Sequence, residues 1–269
     1  MKRNIAIVYL VAGLSSRFGG EIKPLTDIGP NGKTFIEHSF EQALPAGFNK
    51  IVLVVGKNTE SAFREKFKDN YQGVPIKYVK QEFDMSTRDN PWGTVDALYN
   101  AQKELDCPFI VCNGDDLYGK DSFQKLFKHL EEFKEEASIG YRLIDTLPNE
   151  GTVKRAVFKV KENYVQLIGN AFPVSKTELN KEHNPNELSC MNIFALHNYT
   201  LELLKNLLDE FKKAHTNDRT VEFPLHRVLS KFIEQKIIKM KIYLSEDSWI
   251  GLTNRGDEEI VRKFVLTHK

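Results

Sequence analysis

The 269-residue sequence is 41% hydrophobic and carries 38 basic against 37 acidic residues, a formal net charge of +1. That balance excludes the basic stripe a nucleic-acid or membrane-surface partner calls for, so a local positive field has to come from a few side chains around a pocket. The length suits one large domain, or a domain with a lobe, and is enough to bury a substantial core.

Three cysteines (Cys107, Cys112 and Cys190), odd in number and without metal-type spacing, read as those of a reducing compartment. The opening MKRNIAIVYLVAG imitates a signal peptide, but its apolar run stops at Ala12 and no small-residue cleavage site follows. No run approaches the ~20 apolar residues of a membrane span. A cytoplasmic protein is expected.

The first predicted element, NIAIVYLVA, is β-branched and continuously apolar up to Gly13, the mark of a strand buried on both faces. TFIEHSFEQAL follows, with Phe35, Ile36, Phe40, Ala43 and Leu44 at helical spacing. Next come strand IVLVV, a helix over 60–67, strand IKYV, a helix over 95–105 and strand FIVC. A helix over 122–133 sets Phe123, Leu126, Phe127, Leu130 and Phe133 on one face, and strand ASIGYRL closes this half. Alternation of strand and helix with short connections predicts a parallel sheet covered by helices on both faces. Such sheets bind ligands at the carboxyl ends of their strands.

After Leu147 the texture changes. GTVKRAVFKV and YVQLI alternate like an antiparallel hairpin, and 175–187 reads as a mobile surface loop. LSCMNIFAL is a strand, 199–213 a long helix, EFPLHRVLSKFI another helix and KIIKMKIYL a strand; a last helix follows SWIGLTNRGD. No linker, repeat or low-complexity tract intervenes, so these elements are expected to join the same sheet. The fold class is α/β, with a mixed, mainly parallel central sheet and helices on both faces.

Two polar clusters of the first half fall at strand ends. The first, AGLSSRFGG with KPL close behind, spends the eleven residues 13–23 on one connection. Glycines let backbone N–H groups close on an anion; Arg17 offers a planar fork and Lys23 a movable point charge. The plain alternative is a long turn with two solvated cations. Two other phosphate signatures fail: Asp27 stands where a P-loop ending in GKT needs its first glycine, and Ser15 where the dinucleotide fingerprint needs one. The second cluster, NGDD at 113–116, ends a buried strand on two adjacent carboxylates that repel one another without a cation. Magnesium, held by one or two carboxylates and substrate phosphates, answers that cost; an Asx turn capping the next helix is the alternative. Between the clusters, Pro91-Trp92-Gly93 makes a rigid turn with Thr94 placed to cap a helix; Gly93 with Gln81 could read a nucleobase edge, but on this motif alone an ordinary N-cap is the favoured reading.

In this combination of AGxSxRFGG, KPL, GTxDA and NGDD, the chain resembles the sugar-phosphate nucleotidyltransferases, or NDP-sugar pyrophosphorylases. GPNGKTFIEHS, PWGT, NGDDLYGK, TLPNEGTVKR, SCMNIFAL and WIGLTN carry the likeness in order along nearly the whole chain. The resemblance implies a glycosyltransferase-A-like, Rossmann-like nucleotidyltransferase fold. It implies transfer of NMP from an NTP to a sugar 1-phosphate, giving NDP-sugar and pyrophosphate. The nucleotide-binding half would be 1–147 and the acceptor-binding half 148–269. Carried over, Ala12, Gly13, Ser15, Ser16, Arg17 and Lys23 would hold the nucleotide's phosphates. Gln81, Gly93 and Thr94 would hold the base, and Asp115 the Mg2+. Gly140, Arg155 and Asn192 match positions that face the sugar phosphate.

The sequence departs from the family at two places. Relatives carry Trp-x-Asp near the C-terminus, whose aspartate is a second metal ligand; here Trp249 leads to Gly251, and Asp116 is the expected replacement, ahead of Asp257. LIGNAF lacks the sugar-binding glutamate of many relatives. The reaction needs no general base, because a phosphate monoester with its second pKa near ~6 is already a dianion at neutral pH. Arg17, Lys23 and Asp115 are therefore the expected catalytic residues, acting by charge and position. Expected partners are a nucleoside triphosphate and a phosphorylated small-molecule acceptor, with no nucleic acid and no membrane. The alternatives are a cytidylyltransferase for a small phosphorylated alcohol such as phosphocholine, an NDP-sugar-dependent glycosyltransferase, and a non-catalytic nucleotide-binding relative.

Overall fold

The computed structural model describes residues 4–13, 22–179, 183–252 and 256–267. The first half runs β1 (Ala6–Val11), α1 (Phe35–Ala43), β2 (Lys50–Val55), α2 (Glu60–Phe67), β3 (Asn70–Tyr71), β4 (Val74–Lys80), α3 (Thr94–Asn100), β5 (Phe109–Asn113), β6 (Asp116–Leu117), α4 (Lys120–Glu132) and β7 (Glu136–Arg142). The second runs β8 (Val153–Lys161), β9 (Tyr164–Ile168), β10 (Phe172–Val174), β11 (Leu188–Leu196), α5 (Asn198–Ala214), α6 (Leu225–Glu234), β12 (Met240–Leu244), β13 (Ile250–Gly251) and α7 (Asp257–Thr267).

Eleven strands form one sheet in the order β10-β8-β9-β12-β7-β11-β5-β1-β2-β4-β3, with β11 also pairing β8. Strands β4, β2, β1 and β5 are parallel. β11 enters antiparallel between β5 and β7, and β12 lies parallel to β7. The sheet is mixed because each half brings its own connection: helical crossovers keep neighbours parallel, whereas the β8–β9 hairpin reverses them.

The unbroken apolar runs of the central strands follow from burial on both faces. Ala6 and Val8 of β1 face a cluster with Val95 and Leu98 of α3, Leu201, Leu204 and Leu208 of α5, and Val228 and Phe232 of α6. Ile7 and Tyr9 face the other way, onto Ile36 and Phe40 of α1, Phe63 of α2 and Phe123 and Leu126 of α4. α1 starts where a capping box allows it: the Thr34 amide and hydroxyl both donate to Glu37, at 2.9 and 2.7 Å. α5 is capped from the sheet, since the fully buried Glu136 carboxylate accepts from the His197 amide, His197 Nδ1 and the Thr200 hydroxyl.

Several expectations are corrected. The helix over 95–105 ends at Asn100 and continues as a 3-10 turn, Ala101–Glu104. Thr94 does not cap it, because Gly93 holds the N-cap and the Thr94 hydroxyl instead accepts from the Leu225 amide that opens α6. Within 175–187, of which 180–182 lie outside the described residues, Leu179 is buried against Leu143, Leu147 and Val174 and bridges to His183, whose ring stacks on Phe172 at 3.7 Å. All three cysteines are unpaired and buried. Among the described residues, no helix is long and apolar enough to cross a membrane.

Candidate active site

Both clusters sit where parallel strands end. Gly114 follows β5 and its amide donates to Leu10 O of β1 at 3.2 Å. A Cβ there would collide with Val11 Cγ1, so only glycine lets the chain turn this close to its neighbour. That turn delivers Asp115 to Lys23, which stands on the 3-10 turn Lys23–Leu25. Lys23 Nζ and Asp115 Oδ2 are 3.9 Å apart. Ser15, Ser16 and Arg17 lie outside the described residues.

On one side of this pair is a cavity of about 210 Å3, lined by Lys23, Asp115, Asp116, Arg155, Asn192 and Trp249 among others. Asn192 reaches it from a register break in β11 between Cys190 and Phe194, with φ +56. Asparagine adopts this left-handed conformation more readily than most residues, which suits it to the break in the ladder. Arg155 donates to the Thr146 carbonyl through Nη2 (2.6 Å) and Nε (3.2 Å), and its guanidinium lies 5.0 Å from the Trp249 ring centroid. Gly140 is not on the cavity wall. It pairs with Cys190 inside the sheet, and a Cβ on it would meet Leu188 Cβ at 3.0 Å.

A second cavity, of about 310 Å3, lies at the ends of β1, β2 and β4, lined by Ala12, Gly56, Lys57, Gln81, Phe83 and Met85 among others. Gly13 is exposed, with open space around it. Gly93 and Thr94 are not on this wall; Gly93 packs on the Phe223 backbone and accepts from Gln81 Nε2 at 3.1 Å. The rim at 82–93 is held from the second half of the chain. Arg88, 3% exposed, donates to the carbonyls of Asn90, Asp218 and Val221 and stacks 3.5 Å over the Trp92 ring.

One cavity holds a lysine–aspartate pair and tandem acids, and a second opens at the ends of β1, β2 and β4 on the same sheet. Residues 7–142 match the family described as "MobA-like NTP transferase domain". The chain belongs to that family of nucleotidyltransferases. It is 31% identical over 117 residues to the UTP--glucose-1-phosphate uridylyltransferase AglF of Haloferax volcanii, covering 41% of this chain and 43% of that protein. Among solved structures, a UDP-glucose pyrophosphorylase from Acinetobacter baumannii superposes with TM-score 0.67 at 17% identity, over 98% of this chain and 94% of that one. The inositol-1-phosphate CTP transferase from T. maritima gives 0.68 at 15%, over 97% and 95%. These superpositions establish the nucleotidyltransferase fold. The chain spans 43% of the length of each of the two curated relatives it matches.

The transferase's tandem acids are electrostatically loaded. Burial raises Asp115 above the usual carboxylate range, with Lys23 opposing. Asp116 is pushed up to about 7 by burial first and by Asp115 second, against the bonds from Asn113 and Tyr118 and the charge of Arg155. Its Oδ2 accepts from Asn113 Nδ2 (2.9 Å) and the Tyr118 hydroxyl (3.0 Å). Oδ1 points across the β6–β13 ribbon at Gly251, where any Cβ would collide with it. The carboxylate of Asp116 thus fills the space that a side chain at 251 would take. Adjacent acids on a cavity wall, Asp116 buried and Asp115 partly exposed, fit a divalent cation, which would favour their ionised forms. Among the described residues no cluster of three or more His, Cys, Asp or Glu side chains is placed for a metal, so substrate phosphates would supply the remaining ligands. Asp257 opens α7.

Sequence reasoning missed Gly56, Arg88 and His226. His226 lines the smaller cavity, and burial holds its pKa down at about 4. Gly56 left a trace as the glycine closing IVLVVG. Arg88 and His226 had no local signal.

Proposed function

We propose that the protein transfers NMP from a nucleoside triphosphate to a sugar 1-phosphate, giving an NDP-sugar and pyrophosphate. The observation that carries this reading is the Lys23–Asp115 pair, 3.9 Å apart, on the wall of the cavity that Asp116, Arg155 and Asn192 also line. The larger cavity is assigned to the nucleoside and the smaller to the acceptor. An acceptor phosphate oxygen, already ionised, attacks the α-phosphorus. The new P–O bond forms as the bond from the α-phosphorus to the β-bridging oxygen breaks, and pyrophosphate leaves with that electron pair. Lys23 lowers the repulsion between the two anionic substrates and steadies charge on the departing group. Arg17 is assigned the same role on the β- and γ-phosphates. Asp115 and Asp116 would hold Mg2+, which supplies further neutralisation of phosphate charge.

The test is pyrophosphate release over a panel of NTPs and phosphorylated acceptors with Mg2+. With the best pair, Lys23→Ala and Asp115→Ala are each expected to lose ~10²–10³ in rate, the usual cost of removing a preorganised charge contact. Near wild-type turnover in either variant removes the assignment.

A further inference from the structure

Gln81 follows β4 and lines the larger cavity, only 6% exposed. Its amide nitrogen donates to Gly93 O at 3.1 Å and to Asp96 Oδ2 at 2.9 Å. A backbone carbonyl and a carboxylate only accept hydrogen bonds, so both amide hydrogens are committed and the amide has one allowed orientation. Oε1 is the atom left to offer a ligand. Asp96, on α3, is 2% exposed, and its Oδ1 is met at 2.5 Å by Nζ of Lys212 from the last turn of α5. Neither Lys212 nor Asp96 lines the cavity.

We propose that Lys212 is a positioning residue for the nucleobase: through Asp96 it holds the Gln81 amide with its carbonyl oxygen toward the cavity, and the site takes a base edge that offers an N–H donor. The inference rests on the assignment of this cavity to the nucleoside. It ties base recognition in the first half of the chain to a lysine of the second. Without the ammonium, Asp96 loses the contact that orients its carboxylate beneath Gln81. One of the two acceptors that fix the amide is then released, Gly93 O alone is left to hold it, and its orientation toward the ligand loosens.

The test compares each triphosphate with a partner whose donor is methylated, by isothermal titration with Mg2+. The pairs are UTP with N3-methyl-UTP, ATP with N6,N6-dimethyl-ATP, CTP with N4,N4-dimethyl-CTP, and GTP with its N1-methyl and N2,N2-dimethyl forms. For the triphosphate that wild type binds tightest, methylation is expected to weaken binding about tenfold, the worth of one hydrogen bond with an orphaned acceptor. In Lys212→Met that penalty shrinks to about threefold or less, whereas Lys212→Arg retains it. Asp96→Asn, nearly isosteric and able to donate to Oε1, behaves like Lys212→Met and serves if the methionine variant is unstable. In turnover the loss falls on KM for the triphosphate with kcat within about twofold, a split that a merely structural ion pair would not produce. An equal penalty in wild type and both variants overturns the inference while leaving the proposed function standing. The absence of any penalty in wild type does the same. Failure of wild type to bind any triphosphate overturns both.

Discussion

Replacing Gly251 by aspartate restores the residue type that related enzymes carry two places after the tryptophan, yet the structure predicts damage. The new Cβ would collide with Asp116 Oδ1 and lie 2.7 and 3.0 Å from Cζ2 and Cη2 of Trp249. The carboxylate cannot swing away cheaply, because Oδ2 is held by Asn113 and Tyr118. Nor can the indole, with Arg155 beside it. Overpacking of this kind costs ~1–3 kcal/mol, and in a chain of roughly this size each kcal/mol lowers Tm by ~2–4 °C. Asp116→Ala should cost a similar ~1–3 kcal/mol by leaving Asn113 without its acceptor. The double variant vacates the contested space and lets the carboxylate at 251 occupy it. Its loss should therefore fall short of the summed single losses by ~1–3 kcal/mol. Thermal melts of the four proteins give the cycle, and Mg2+-dependent pyrophosphate release gives its functional counterpart, in which the double variant recovers activity that both single variants lack. Single effects that add to within ~0.5 kcal/mol, or a Gly251→Asp protein as stable as wild type, would refute the reasoning.

Arg88→Met removes three bonds to backbone carbonyls at a buried position and should cost ~1–3 kcal/mol for each acceptor left unsatisfied. Because the rim it holds supplies Phe83, Met85 and Pro91 to the larger cavity, KM for the triphosphate should rise more than kcat falls. Arg88→Lys should not rescue, since a point charge cannot serve three carbonyls and a ring face; melts and steady-state kinetics check both. His226 gives a pH dependence. Its pKa is lowered from 6.5 to about 4, chiefly by burial, so between those values the unfolded chain takes up a proton that the folded chain does not. Stability therefore falls as pH drops below 6.5, by ~1.4 kcal/mol per unit, or about 2 kcal/mol at pH 5. His226→Gln should flatten that part of the urea-derived stability profile.

The strand and helix order was readable because β1, β2 and β5 are covered on both faces and so are apolar throughout, while α4 and α5 bury one stripe each. Lys23 and Asp115 were readable for a related reason: polar residues and glycines that interrupt such strands at their carboxyl ends must turn toward solvent or a ligand. What escaped was non-local. β6 and β13 have two residues each, too few for any period, yet their pairing brings Gly251 to Asp116. Thr94 reads as a helix cap by local rules, and only the arrival of α6 gives its hydroxyl another donor. Gly140 matched a family position but is packed on Leu188 within the sheet. Arg88, Asp96 and Lys212 look like ordinary solvated charges until the segments around 92 and 215–223 are folded against one another.

β11 carries a mechanical consequence. It is laced to β5 on one side and to β7 and β8 on the other, so the first half of the chain and the second share the same rungs. Enzymes built as separate lobes bring reactants together by swinging shut; here that motion would tear out the middle of the structure. The spacing between the two cavities is therefore set by the shared sheet when the chain folds.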